Sequence, residues 1–380
     1  MTFRNKLKDL LSLGLGNISA SLIFGFFWLY LASLIPKTEY GELGFLVSIA
    51  NVGAAISMLG FNAVVVVYES KKENVFPSSF VIVLISANIT ALATFVLTQN
   101  VLVSILIVGV VIFNIIISGL NSQRRYQDFS KHKILRAVTT VIIAIIAYQY
   151  FGINGILAGY FLSTLFILKE FNSLMKNKKI EFSLLRSKIP FILHTFSLRL
   201  NDEFIRDGDK LLIGSLFGFY VLGSYYFAVQ YLFVILTFPQ SLSIFLIPEE
   251  SRGKKNKKIK VISILISLLI AIVSVTFIPY GIDTFLPKYE DSIQPMQILS
   301  LAIIPLTIIS IQESEFLAKE NSRVVLFGNV LQSGFYLVAI ILLGQVLGLI
   351  GLSIGFVMAT IIRSIFNVIM KSVKSKISFE

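Results

Sequence analysis

The chain has 380 residues, of which 56% are apolar and 14% charged, with no cysteine and a formal net charge of +12. A soluble domain carries about 25% charged residues, so this composition excludes an ordinary soluble fold, and the missing cysteines exclude a disulfide framework and thiol chemistry. The basic residues are dispersed over many short segments rather than gathered in one patch, which excludes a nucleic-acid partner and leaves a general attraction to anionic membrane lipids.

Apolar runs near the length that crosses roughly 30 Å of hydrocarbon recur along the chain. In order they are 10–34, 41–68, 78–97, 101–120, 134–150, 153–168, 191–217, 220–246, 259–286, 293–317, 324–346 and 350–370. The reading is an all-α membrane protein with twelve transmembrane helices. Its N-terminus is basic and lacks a small-residue cleavage site, so no removable signal peptide is expected. Of the 33 Lys and Arg residues, 28 fall at the two ends and in the even-numbered connections. The odd-numbered connections hold two, Lys37 and Lys288, and the remaining three lie inside the seventh helix. The positive-inside rule then places both termini in the cytoplasm and the protein in the cell membrane.

The chain also repeats itself. Ser33-Leu-Ile-Pro-Lys-Thr-Glu-Tyr-Gly41, between the first two helices, matches Ser215-Leu-Phe-Gly-Phe-Tyr-Val-Leu-Gly223 in its Ser-Leu and its final Gly. Gly152, Gly155 and Gly159, between the fifth and sixth helices, match Gly348, Gly351 and Gly355 between the last two. Both matches fall on equivalent junctions of two six-helix halves, 1–182 and 183–380. Six is even, so the halves enter the membrane from the same side. Two six-helix bundles related by a pseudo-two-fold along the membrane normal follow, with substrate bound between them. The glycines also fit close helix packing.

The seventh helix carries seven charged residues: Arg199, Asp202, Glu203, Arg206, Asp207, Asp209 and Lys210. Ionisable groups at membrane depth cost roughly 2.5–3.5 kcal/mol each on insertion scales and mark substrate or ion pathways. At 100° per residue, Arg199, Glu203, Arg206 and Lys210 fall within about 60° of one another. Asp202 and Asp209 flank this stripe on one side and Asp207 on the other. The spacings Arg199–Glu203, Asp202–Arg206 and Asp207–Lys210 allow mutual neutralisation, so a self-compensated ladder is one reading. A buried pair adds little net stability, which favours the other: a hydrophilic cavity wall whose cations meet an anionic substrate.

Enzyme chemistry has little in its favour. No metal-ligand cluster, nucleophile–base arrangement or phosphate-cradling loop appears, so no catalytic residue, metal or cofactor is expected. His132 falls in a cytoplasmic connection, and His194, early in the seventh helix, packs near the cytoplasmic mouth or lines the cavity. Glu313 and Glu315, at the cytoplasmic end of the tenth helix, have three readings: partners for the basic stripe, ligands for a coupling cation, or interfacial carboxylates. Asn17-Ile-Ser19 and Asn88-Ile-Thr90 match the glycosylation pattern inside membrane segments, where it has no meaning.

Three segments together resemble the seventh and eighth helices of the polysaccharide-export flippases of the Wzx type, which are related in architecture to multidrug MATE exporters. They are Asp209-Lys-Leu-Leu-Ile-Gly-Ser-Leu-Phe-Gly, Val221-Leu-Gly-Ser-Tyr-Tyr-Phe-Ala228, and Pro239 with Pro248-Glu-Glu-Ser-Arg252. Glu39-Tyr-Gly41 with Gly60-Phe-Asn resembles that family's first helix pair, and Tyr289 with 298–302 and Pro305 its tenth-helix entry. The resemblance implies alternating access and transfer of a polyprenyl-pyrophosphate-linked oligosaccharide to the outer leaflet. Arg199, Arg206 and Lys210 are then the substrate-binding cations. Asp202, Glu203, Asp207 and Asp209 are cavity carboxylates or carriers of a coupling Na⁺ or H⁺. A MATE-like exporter of small cations would instead use those four carboxylates for its substrate. A glycan polymerase or ligase would need a long outer loop, and a peptidoglycan-precursor flippase two more helices.

Overall fold

The computed structural model describes residues 3–176, 178–251, 256–318 and 321–377. Among them nine segments are long and apolar enough to cross a membrane. Three of these, Tyr126–Met175, Ile189–Ser243 and Ser322–Ser372, break internally at Gly152, Gly218 and Gly348. Each therefore contains two passes, and the described chain makes twelve. We number them α1 (Phe3–Leu34), α2 (Lys37–Met58), α3 (Phe76–Thr98), α4 (Val101–Ser122), α5 (126–151) and α6 (153–165). The remainder are α7 (189–217), α8 (219–251), α9 (Lys257–Phe285), α10 (293–318), α11 (322–347) and α12 (349–377).

The chain forms two compact units, Met1–Phe24 with Phe45–Leu211 and Gly25–Gly44 with Leu212–Glu380. In the first, α4 is the central helix, packed against α3 and α5. Its start is set by Asn100, whose side chain accepts a hydrogen bond from the Val103 amide at 3.1 Å, a cap that satisfies an otherwise orphan donor. The second unit is organised on α10, which packs against α8, α9 and the α11–α12 pair. Buried hydroxyls such as Ser57, Ser79 and Thr140 bond the carbonyl one turn earlier, at 2.7 Å in each case. Small polar residues can thereby line helix contacts without an unpaired donor. Large apolar side chains including Leu92, Leu97, Ile142, Leu269, Phe285 and Val346 point outward, as a lipid-facing surface requires.

The two glycine triplets build equivalent hairpins. Gly152 and Gly348 adopt φ +57° with ψ −141° and −133°, a region closed to residues with a Cβ. Past each turn the chain doubles back closely: a Cβ on Gly155 would overlap the Ala147 carbonyl, and one on Gly351 the Leu343 carbonyl.

The second and fifth helices depart from the sequence reading. The run 41–68 is not one helix, because Leu59 and Gly60 both take positive φ and the chain resumes as a helical turn and a π-helix, Val65–Glu69. The fifth helix starts at Tyr126 rather than 134. A hydropathy window stops where Lys131, His132, Lys133 and Arg136 begin, but the side chains of His132, Lys133 and Arg136 find partners inside the first unit, in Glu170, Asn17 and Phe113. Arg252, Lys254, Lys255 and Lys319, counted among the basic connections, lie outside the described residues.

Candidate functional site: a cationic cluster in the first unit

The charged block on α7 is not a regular α-helix. Ile189–Glu203 is α-helical, Phe204–Gly208 is a π-helix, and α-geometry resumes at Asp209. A π-turn inserts one residue into the register and recurs at functional sites. The 100° wheel therefore fails beyond Glu203, and the stripe splits.

Lys210 turns inward and is 1% exposed, beside Asp209 at 3%. Its Nζ lies 2.9 Å from Asp209 Oδ1, 3.9 Å from Asp207 Oδ1, and also donates to the Arg206 carbonyl. Asp207 is held from α2, accepting hydrogen bonds from Ser48 Oγ at 3.2 Å and Asn51 Nδ2 at 3.1 Å. Glu203 is buried and lies 2.8 Å from the Arg199 guanidinium. Arg199 and Asp202 are half-buried, whereas Arg206 and His194 are exposed.

Sequence reasoning missed two members. By sequence Lys133 and Arg136 fall among the 28 basic residues of the ends and even-numbered connections, where charge reports topology. On the longer α5, Arg136 sits ten residues in, about 15 Å along the axis and two residues into the apolar run 134–150. The Lys133 ammonium lies within electrostatic range of the Arg136, Arg199 and Arg206 guanidinia. Its Nζ donates to Asn17 Oδ1 at 2.6 Å, and the Arg136 guanidinium sits 4.5 Å from the centre of the Phe113 ring. Among the described residues neither is paired with a carboxylate. The Arg136 Nε is buried and without a hydrogen-bond partner. The spacing Lys133–Arg136, i to i+3 just before an apolar run, was the available signal.

Lys133 thus has three guanidinium groups within electrostatic range, while Glu203, Asp207 and Asp209 are already engaged. Such an arrangement is chemically suited to an anion with several acceptor oxygens, which guanidinium groups bind bidentately. Glu313 and Glu315 do not enter this set. Glu313 pairs with Arg363, whose other nitrogen donates to Gln332 Oε1 at 2.7 Å. Glu315 lies 2.6 Å from Lys260 and 2.5 Å from Lys371, and Lys260 also meets Glu250 at 2.6 Å. These carboxylates tie the ends of α8, α9, α10 and α12 together within the second unit.

Solved structures share this fold. An inward-facing multidrug-resistance MATE transporter of the MOP superfamily aligns with TM-score 0.65 at 16% identity, over 95% of this chain and 94% of its own. The lipid II flippase MurJ in an inward closed conformation aligns with TM-score 0.61 at 16% identity, over 97% of this chain and 81% of its own. A MOP superfamily transporter from Pyrococcus furiosus, described as having a binding pocket of reverse polarity, aligns with TM-score 0.58 at 17% identity, over 97% and 95%. No curated protein matches the chain in sequence. The family model described as "Polysaccharide biosynthesis protein" matches residues 30–260. With that match over more than half its length, the chain belongs to the family of polysaccharide biosynthesis proteins, and it shares the fold of these transporters.

Proposed function

We propose that this membrane transporter flips a lipid-linked oligosaccharide, carried on a polyprenyl pyrophosphate, from the cytoplasmic to the outer leaflet by alternating access of the repeats 1–182 and 183–380. The observation that carries the reading is Lys133 and Arg136, two cations at the start of a membrane segment that meet no carboxylate among the described residues, with Arg199 and Arg206 within electrostatic range of Lys133. Uncompensated charge in hydrocarbon is retained for a ligand or a wet path, and a pyrophosphate supplies the missing anion. Arg199 and Arg206 contact it from α7, Lys133 and Arg136 from α5. Lys210 joins them in a conformation that releases it from Asp209. Asp202, Glu203, Asp207 and Asp209 set the depth of the positive potential and are the candidates for carrying a coupling Na⁺ or H⁺. Both termini are cytoplasmic in this reading, with the scaffold in the cell membrane.

Export of small cationic compounds is the competing reading. It needs open carboxylates, and the engagement of Glu203 by Arg199 and of Asp207 by Ser48 and Asn51 disfavours it.

Removing the gene from its host tests the assignment. Lipid-linked oligosaccharide should accumulate on the cytoplasmic side and surface glycan should disappear, while resistance to lipophilic cations stays unchanged. Lost cation resistance with normal surface glycan would assign the exporter instead.

A further inference from the structure

The odd-numbered connections carry two basic residues, Lys37 and Lys288, and both are consumed by one structural feature of the second unit. Lys37, at the start of α2, is 8% exposed. Its Nζ lies 2.8 Å from Asp291 Oδ1 and donates to the Tyr220 hydroxyl at 3.2 Å, with the Tyr220 ring 4.5 Å away. Asp291 sits in the short turn before α10, and its Oδ2 accepts from Ser224 Oγ of α8 at 2.8 Å. Lys288, in the same turn, donates to the carbonyls of Ser33 and Ile35 at 3.1 and 2.7 Å. A cation at the carbonyl end of a helix complements its dipole.

Beneath this clasp α2 crosses α8 in a reciprocal way. A Cβ on Gly41 would overlap the Phe219 carbonyl and come 2.6 Å from the Gly223 amide nitrogen, and one on Gly223 would overlap the Lys37 carbonyl. Position 37 maps onto 219, and 41 onto 223, by the spacing of the sequence repeat. Each repeat thus presents the same surface to the other, which is how an isologous two-fold contact is built. Tyr40, Tyr226, Trp28 and Tyr289 close around it, with ring centroids 5.0–6.1 Å apart. The crossing joins residues 37–44 of the first repeat to 219–226 of the second. It cannot persist if the repeats part on this side.

Lys37 is buried while Asp291 is exposed; an ion pair open to water on one side contributes little net stability, and a use such pairs are known for is to fix one of two registers. We infer that the Lys37–Asp291 pair is the latch of the outer gate: it holds the α2–α8 crossing shut and must release once in each transport cycle. This rests on reading the chain as an alternating-access transporter, so the tests separate the two.

The cysteine-free sequence permits a direct experiment. In the Lys37→Cys/Asp291→Cys variant, a short bis-thiosulfonate reagent added to intact cells should lower glycan export at least tenfold. Reduction should restore it, and the single-cysteine variants should be unaffected. Unchanged export after complete bridging would overturn the latch. A second measurement needs no substrate. Leu222 is fully buried on α8, and a cysteine there should react with an impermeant maleimide roughly tenfold faster when Lys37→Ala is added. The swap Lys37→Asp/Asp291→Lys should return the rate to its starting value. An unchanged rate in Lys37→Ala overturns the latch, and so does a rise that the swap fails to reverse, because that marks a loosened fold. A reversible rise in a protein that exports no glycan leaves the latch standing and removes the glycan assignment.

Discussion

Gly41 and Gly223 cross in backbone contact, although 182 residues separate them: a Cβ on Gly41 would come 2.6 Å from the Gly223 amide nitrogen. Both positions end the same short sequence motif, so the repeat is at once a record of chain organisation and the place where equivalent helices meet.

Gly41→Ala should therefore destabilise this conformation by about 1–3 kcal/mol, the usual range for forcing an extra methyl into a packed contact. Gly281 and Gly334 lie within helices and have open space where a Cβ would go. Alanine there should be neutral or gain roughly 0.5–1 kcal/mol through helix propensity. Thermal unfolding of the purified protein in detergent checks the contrast. Equal melting temperatures for all three variants would contradict the crossing.

Gly152 and Gly348 test the repeat from its other end. Neither has a neighbour within 4 Å of a Cβ, so alanine meets no clash, yet each sits at φ +57°. Strain of about 1–3 kcal/mol is expected at each site, and the two losses should be alike because the two hairpins share one geometry. Loss at one position alone would show that the hairpins are not equivalent in energy.

Arg136→Ala and Arg206→Ala should each cut glycan export roughly tenfold to a hundredfold, the loss of one charge-assisted hydrogen bond of about 1.5–3 kcal/mol. Lysine at either position should recover only part of it, because a point charge lacks the bidentate fork. Export measured at matched protein levels decides. Full activity in Arg136→Ala would remove α5 from the site.

Lys210 and Asp209 should behave as a unit. Either Lys210→Met or Asp209→Leu alone removes one partner of a buried pair and should cost about 3–5 kcal/mol. The double variant should recover most of that loss, and a double-mutant cycle on unfolding midpoints measures the coupling. Additive losses would mean that the pair is not formed in the membrane.

Orientation follows from loop charge and is open to labelling. Cysteine at exposed Gln99, between α3 and α4, should react with an impermeant maleimide on intact cells. Cysteine at exposed Lys258, at the start of α9, should react only after permeabilisation. The reverse pattern would invert the topology.

Much of this protein was legible in the sequence alone. Hydrocarbon thickness fixes the length of an apolar run, so the twelve passes could be counted, and glycine at 152 and 348 marked the tight hairpins because no other residue accepts their backbone. The charged segment of α7 stood out because ionisable groups are rare at membrane depth. What the sequence could not give was register and partnership. The π-turn at 204–208 has no composition signal, yet it turns Lys210 into the protein and leaves Arg206 exposed. Lys133 and Arg136 read as loop charges because a hydropathy window ends at the first cation, whereas a helix continues wherever its side chains find partners. Those partners, Asn17 and Phe113, are distant in sequence. The same holds for Lys37, whose role is set by Asp291 from a turn 254 residues away. Local pattern determines which segments span the membrane, and only tertiary packing decides which of their charges are neutralised and which are left to act.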